Sequence, residues 1–159
     1  MNGKSAQSMV APILGCGKVI RATRGEKKIL DSDVFLYKED DFKNFTDFEE
    51  SFSNEKTQTA GFKLVRDSKF VQIFTSISCN LDQLCLTQNQ IIEFVRDNRK
   101  WMSKNCNMAF FLFRDAQNYF VAMVLIDANT AASVFVDPLG SKKVWEAKED
   151  YIVIVRDDE

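Results

Sequence analysis

The sequence predicts a two-layer α+β domain over residues 17–159, in which a mostly antiparallel sheet carries two helices on one side. Strand-like apolar segments outnumber the segments with helical spacing. Each helical segment precedes two strand-like segments joined by a short polar turn, which gives the order helix, strand, strand twice. The 159 residues are 45% hydrophobic and 28% charged, which is typical of one globular domain.

Residues 1–16 are predicted to form a flexible N-terminal arm. Residues 13–16 read Ile-Leu-Gly-Cys and resemble a bacterial lipoprotein cleavage box. The apolar run before the box, Met9–Leu14, is short for a signal peptide and is interrupted by Pro12. We therefore expect a cytoplasmic protein, and the alternative is a lipoprotein anchored at Cys16.

Strands are predicted next at Lys18–Thr23 and Ile29–Tyr37, with a turn at 24–26 between them. The apolar period then changes from two residues to a helical one, which predicts a helix over Glu39–Phe52. Its core-facing side is predicted to consist of phenylalanines: Phe42, Phe45, Phe48 and Phe52. Its acidic residues are predicted to face solvent.

A first hairpin is predicted from Phe62–Val65 and Lys69–Ile77, around the turn Arg66-Asp67-Ser68. A second is predicted from Met108–Phe113 and Tyr119–Ile126. Both turns begin with Arg-Asp, so the two helix-hairpin units either resemble each other by convergence or arose by duplication. We favour convergence, and the alternative is an internal repeat.

The second helix has the clearest local signals in the chain. Thr87 is placed as its N-cap and Gln90 as the capping-box partner, while Leu86 and Ile91 occupy the positions of a hydrophobic staple. The helix is predicted to end at 105–107. Its C-terminal half carries cations, which the helix dipole favours there: Arg96, Arg99, Lys100 and Lys104.

The near-continuous apolarity of the second hairpin predicts either burial on both faces or one face offered to a partner. A homodimer formed through Tyr119–Ile126 follows from the second possibility. The remaining strands are predicted at Ser133–Val136 and Tyr151–Val155, with a turn at 137–140 after the first of them.

Histidine is absent from the sequence. This excludes serine or cysteine nucleophiles activated by histidine, histidine general bases and histidine-ligated metals. The four cysteines include no CxxC pair, so we expect reduced thiols rather than a zinc site or a disulfide framework. No cofactor and no metal is expected.

We expect a non-enzymatic binding or interaction module that contacts a protein partner or a second copy of itself. The formal net charge of -2 attracts neither nucleic acid nor an anionic membrane surface. The residue usage, rich in Phe, Lys, Asn and Asp, points to a bacterial, phage or mobile-element source. Candidate contact residues are aromatic or basic: Trp101, Tyr119, Phe111, Phe113, Trp145, Arg96 and Lys100.

Two alternatives are open. The first is a small-molecule site, for example for an organic cation, walled by aromatic side chains. The second is a Mg²⁺-dependent nuclease-like enzyme, because Asp137 followed by Glu146 and Lys148 has the composition of a nuclease core. The two carboxylates would hold the ion and the lysine would orient the attacking water.

Overall fold

The computed structural model describes residues 8–13, 17–20, 28–45 and 56–157. Within them, one domain combines a mixed eight-stranded sheet with two α-helices. The strands are β1 Val10–Pro12, β2 Val19–Ile20, β3 Phe35–Lys38, β4 Thr57–Leu64, β5 Met108–Asp115, β6 Asn118–Ile126, β7 Ala132–Pro138 and β8 Tyr151–Arg156. The helices are α1 Phe70–Ile77 and α2 Gln88–Asn105. The α+β class is confirmed.

The sheet is mixed, which corrects the prediction of a mostly antiparallel one. The strand order is β1-β4-β8-β5-β6-β7-β3, and β2 also pairs with β4. Two pairs are parallel, β5 with β8 and β3 with β7. Turn signals in a sequence predict pairing between consecutive strands, whereas both parallel pairs join strands that are far apart in the chain.

Neighbouring residues of β5 belong to different core clusters, because successive side chains of a strand point to opposite faces. Phe111 and Phe113 pack with α2, on what we term the α2 face. Phe110 and Leu112 pack with α1, on the α1 face. The 3₁₀ turn at Asp40–Asn44 also packs on the α2 face. The described part of the first predicted helix and α2 therefore lie over the same side of the sheet.

The second predicted hairpin is present as β5 and β6, with Asp115 opposite Asn118. Ala116 in its tight turn has a left-handed φ of 55°. Both faces of the hairpin are buried, which decides between the two interpretations of its apolarity. β6 lies between β5 and β7. The expected dimer through Tyr119–Ile126 therefore has no unpaired strand edge to form on.

The first predicted hairpin is wrong, because the segment expected to be its second strand is α1. Phe70, Ile73 and Phe74 fall at helical spacing and are all buried. The side-chain carbonyl of Gln72 accepts a 2.8 Å hydrogen bond from the Lys69 amide and so closes the first turn. The unit is therefore a strand followed by a helix, and the internal-repeat interpretation is wrong with it.

The N-terminal predictions hold only in part. Val10–Pro12, inside the predicted arm, pairs with β4, and β2 lies within the strand predicted at Lys18–Thr23. The strand predicted at Ile29–Tyr37 is a 3₁₀ turn at Ile29–Asp31 followed by β3. The helix predicted at Glu39–Phe52 begins as the 3₁₀ turn at Asp40–Asn44. The turn at 24–26 and residues 46–55 lie outside the described residues.

The N-terminus of α2 is as predicted. The Thr87 hydroxyl accepts a 3.1 Å hydrogen bond from the Gln90 amide, and the Gln90 side chain accepts a 2.9 Å bond from the Thr87 amide. Leu86 and Ile91, the predicted staple, are both buried on the α2 face. In the described part of the chain, neither helix combines the length and the apolarity needed to cross a membrane.

Candidate functional site

The predicted contact residues do not form one surface. Phe111 and Phe113 are fully buried in the core of the α2 face. Trp101 is half-buried against that same core. Trp145 is buried on the α1 face, on the other side of the sheet. The two tryptophans therefore cannot be walls of a single pocket.

Tyr119 connects the β5–β6 hairpin to a neighbouring turn. Its hydroxyl donates a 2.6 Å hydrogen bond to Asp82 Oδ1, and Arg114 Nη1 donates to the same oxygen at 3.1 Å. The bond to Asp82 raises the pKa of Tyr119, because it favours the protonated phenol. The arrangement is a polar link between β6 and the 3₁₀ turn at Leu81–Gln83.

Two basic residues of α2, Arg96 and Lys100, lie at the surface. Arg96 makes a 3.7 Å ion pair with Glu93, one helical turn earlier, and Lys100 is exposed. Lys18 lies with Nζ 5.1 Å from the centre of the Trp101 ring, within the range of a cation–π contact. Trp101 therefore already has a cationic partner, supplied by the residue that precedes β2.

Trp145 is held in an aromatic cluster with Phe70, Phe110 and Tyr151. Its backbone exchanges hydrogen bonds of 2.8 and 3.0 Å with Ser68. Lys143 Nζ lies 4.2 Å from the centre of its ring. The indole N–H is buried without a hydrogen-bond partner among the described residues.

The residues of the nuclease alternative lie on different elements. Asp137 is on β7, opposite Val121. Glu146 is in the loop before β8, where it makes a 3.3 Å ion pair with Lys148. Within the described ranges, no three acidic or cysteine side chains converge as a metal site. Cys79, Cys85 and Cys106 form no disulfide among the described residues, and Cys16 lies outside those residues.

A feature that was not predicted is a patch of exposed apolar side chains around β3. Leu36 is 80% exposed, Tyr37 is 49% exposed and Leu30 is 37% exposed. Scattered exposed apolar residues are normal on a protein surface. These three, however, come from one short stretch at the end of the strand order, where no described strand pairs with the outer edge of β3. We name Leu30, Leu36 and Tyr37 the β3 patch.

A β-bulge causes the exposure of Leu36. In the parallel pairing of β3 with β7, Phe35 is opposite Ala132 and Tyr37 is opposite Ser133. Leu36 is therefore the extra residue, and a bulge re-aims such a side chain away from the regular alternation. Phe35, one residue earlier, is buried on the α2 face.

The rest of the β3 patch is held in place by contacts within the chain. The Tyr37 ring packs on Phe135 of β7, with the ring centres 5.4 Å apart. Lys38 Nζ donates hydrogen bonds to the carbonyls of Leu30, at 2.7 Å, and of Ser32, at 2.9 Å. The 3₁₀ turn that carries Leu30 is thus tied to the strand that carries Leu36 and Tyr37.

Carboxylates precede and follow β3. We name them the acidic rim: Asp31, Asp33, Glu39, Asp40 and Asp41. Burial raises the pKa of Glu39, and so do the charges of Asp41 and Asp137, against a backbone hydrogen bond from Val136 that lowers it. Burial also raises the pKa of Asp137, with a further contribution from Asp41 and an opposing one from Lys143. Negative charge is therefore concentrated at this end of the sheet.

The signal for this site was present in the sequence as apolar residues between carboxylates, Asp-Val-Phe-Leu-Tyr-Lys-Glu-Asp-Asp from 33 to 41. The pattern predicts an ordinary strand there, because a bulge has no reliable sequence signature when no glycine marks it.

Comparison with protein-family models, with curated proteins and with solved structures finds no match. A functional conclusion for this chain therefore rests on its own geometry.

Proposed function

We propose that the protein is a non-enzymatic binding module that docks a protein partner on the β3 patch. The observation that carries the proposal is Leu36, an 80% exposed leucine aimed outward by a bulge. Burying a leucine side chain contributes about 1.5–3 kcal/mol, which is the scale of an interface anchor. Tyr37 beside it adds an aromatic surface of the kind enriched in interfaces.

The geometry favours recognition through side chains over the addition of a strand. β3 has only four residues, contains a bulge and is followed directly by three acidic residues. Short, bulged and charged edge strands resist pairing with another strand. We therefore expect the partner to provide an apolar pocket for Leu36 rather than a backbone ladder.

Selection from a random peptide library displayed on phage tests this proposal, because it does not require the partner to be identified first. We expect enriched peptides whose affinity for the Leu36→Asp variant is lower by at least about tenfold, since a hot-spot residue contributes about 2 kcal/mol or more. Binding is measured by fluorescence anisotropy with the synthesised peptides.

The matched control is Val65→Asp. Val65 is 46% exposed and follows β4, near the opposite edge of the sheet. This variant introduces the same charge on an exposed apolar residue and should bind the peptides like the wild type. Thermal unfolding confirms that both variants are folded. Enriched peptides that bind Leu36→Asp as tightly as the wild type would contradict the proposal.

A further inference from the structure

We infer that the partner is a protein with a basic docking segment, in which Lys or Arg side chains on both sides of an apolar pocket pair with the acidic rim while the pocket takes Leu36. The inference rests on the proposed function and adds the chemistry of the partner to it. It is carried by charge complementarity at a surface that already has an exposed anchor.

The acidic rim is not neutralised by its own segment. Over the described residues 28–45, five carboxylates stand against three lysines, Lys28, Lys38 and Lys43, which leaves a net negative charge. The Lys38 ammonium donates to the carbonyls of Leu30 and Ser32 and is thus directed toward the backbone. Burial is the largest cause of the raised pKa values of Glu39 and Asp137, and repulsion from the charge of Asp41 raises both further. A cation from a partner would relieve that repulsion, and this favours a basic partner over a neutral one.

A protein segment fits this surface better than a metal ion. No three ligating side chains of the described ranges come close enough to hold one ion. The carboxylates instead lie along the surface, Asp31 and Asp33 before the strand and Glu39, Asp40 and Asp41 after it. A polypeptide with several separate positive charges can pair with carboxylates that are spread in this way.

A second copy of the chain is a poor occupant. Its exposed basic residues in the described ranges are scattered over several elements, for example Arg96 and Lys100 on α2 and Lys63 on β4, whereas the acidic rim is beside β3. Pairing one surface with the other is a head-to-tail contact, which forms rings or open filaments rather than a closed dimer. Nucleic acid is repelled, because its phosphates carry the same charge as the rim.

The length of β3 gives a spacing for the partner's charges. Four strand residues, with a rise of about 3.3 Å each, separate the two halves of the rim by roughly 13 Å along the strand. An extended peptide spans that distance in about four residues. The expected motif is therefore two basic residues about four or five positions apart, with an apolar or small residue between them.

The experiment uses the peptides selected on the full chain and variants of them in which Lys and Arg are replaced by Gln. We expect the motif in the Leu36-dependent peptides, and affinity lower by about tenfold in 0.5 M salt than in 0.05 M salt. The double variant Asp40→Asn/Asp41→Asn should bind the basic peptides at least about threefold more weakly. The same double variant should bind the Gln-substituted peptides like the wild type.

The control is the double variant Glu149→Gln/Asp150→Asn, which removes the same charge just before β8, a strand separated from β3 by three others. Its affinity for the basic peptides should equal that of the wild type. Leu36-dependent peptides without basic residues, or without salt dependence, would refute the basic partner and leave the proposed function standing. A Leu36-dependent dimer of the wild type in light scattering would refute it as well. The absence of any Leu36-dependent peptide would instead refute the proposed function itself.

Discussion

Arg99 is a single residue that fixes two loops at once. Its guanidinium donates a 3.0 Å hydrogen bond from Nη2 to the Val34 carbonyl and a 3.4 Å bond from Nη1 to the Thr130 carbonyl. Thr130 has a left-handed φ of 64°, which is unfavourable for a β-branched residue. The sequence assigned Arg99 only the role of a cation near a helix C-terminus. Its partners are far away in the chain, so no local pattern could identify them.

We expect Arg99→Ala to lower the free energy of unfolding by about 1.5–3 kcal/mol, as is typical for hydrogen bonds from a charged group. Val34 immediately precedes β3, so amide hydrogen exchange should also become faster in residues 34–38. Urea unfolding and exchange mass spectrometry measure the two effects.

Arg96→Ala is the control for that change. Arg96 lies on the same helix but makes only a 3.7 Å surface ion pair with Glu93. Its replacement should cost less than about 0.5 kcal/mol. If the two variants lost equal amounts of unfolding free energy, Arg99 would contribute only its charge.

At the scale of elements, the two helices differ in how their N-termini are capped. The Thr87 hydroxyl accepts a hydrogen bond from the first turn of α2. The N-cap of α1 is Lys69, whose ammonium cannot accept one, so only the return bond from its amide to Gln72 is present. The cap of α2 was readable in the sequence, and the lysine in the same position of α1 gave no signal for a helix.

We expect Lys69→Ser to stabilise the protein by about 0.5–1 kcal/mol, because serine supplies the missing acceptor at a position that already has the extended conformation of an N-cap. Lys69→Ala is the control, since it removes the same charge without adding an acceptor, and it should leave stability nearly unchanged. Urea unfolding of both variants measures the difference. An equal gain from alanine would show that loss of the charge, not capping, is responsible.

The elements predicted correctly are those with local causes. The capping box of α2, its staple and the β5–β6 hairpin each depend on residues close together in the chain, although the hairpin turn is two residues long where the sequence predicts five. α1 was mistaken for a strand because its short apolar run also suits a buried strand. The parallel pairs and the bulge at Leu36 depend on β7 and β8, which no pattern within β3 or β5 specifies. The candidate site belongs to this second group.

At the scale of the whole molecule, one sheet separates two apolar clusters. Trp101 packs against the cluster on the α2 face and Trp145 belongs to the one on the α1 face. Because β5, β6 and β8 contribute alternate residues to both clusters, neither can lose its packing without disturbing the backbone of the other. The two clusters should therefore unfold together.

The two tryptophans of the chain make this testable. The variants Trp101→Phe and Trp145→Phe each retain one tryptophan. For each variant, we expect the urea midpoint measured by tryptophan fluorescence to equal the urea midpoint measured by far-UV circular dichroism. A fluorescence transition that precedes the loss of secondary structure in either variant would show that one face melts independently.

The strand order also bears on how the protein can be made. β3 pairs with β7, and β4 pairs with β8 as well as with the earlier β1 and β2, so both β3 and β4 have a partner that leaves the ribosome much later. The β5–β6 hairpin is the first long pairing between consecutive strands. During translation the acidic rim and Leu36 would therefore be present as unpaired chain until β7 emerges. The surface proposed to bind a partner is among the last to be completed, and a nascent chain stalled before Ala132 should lack it.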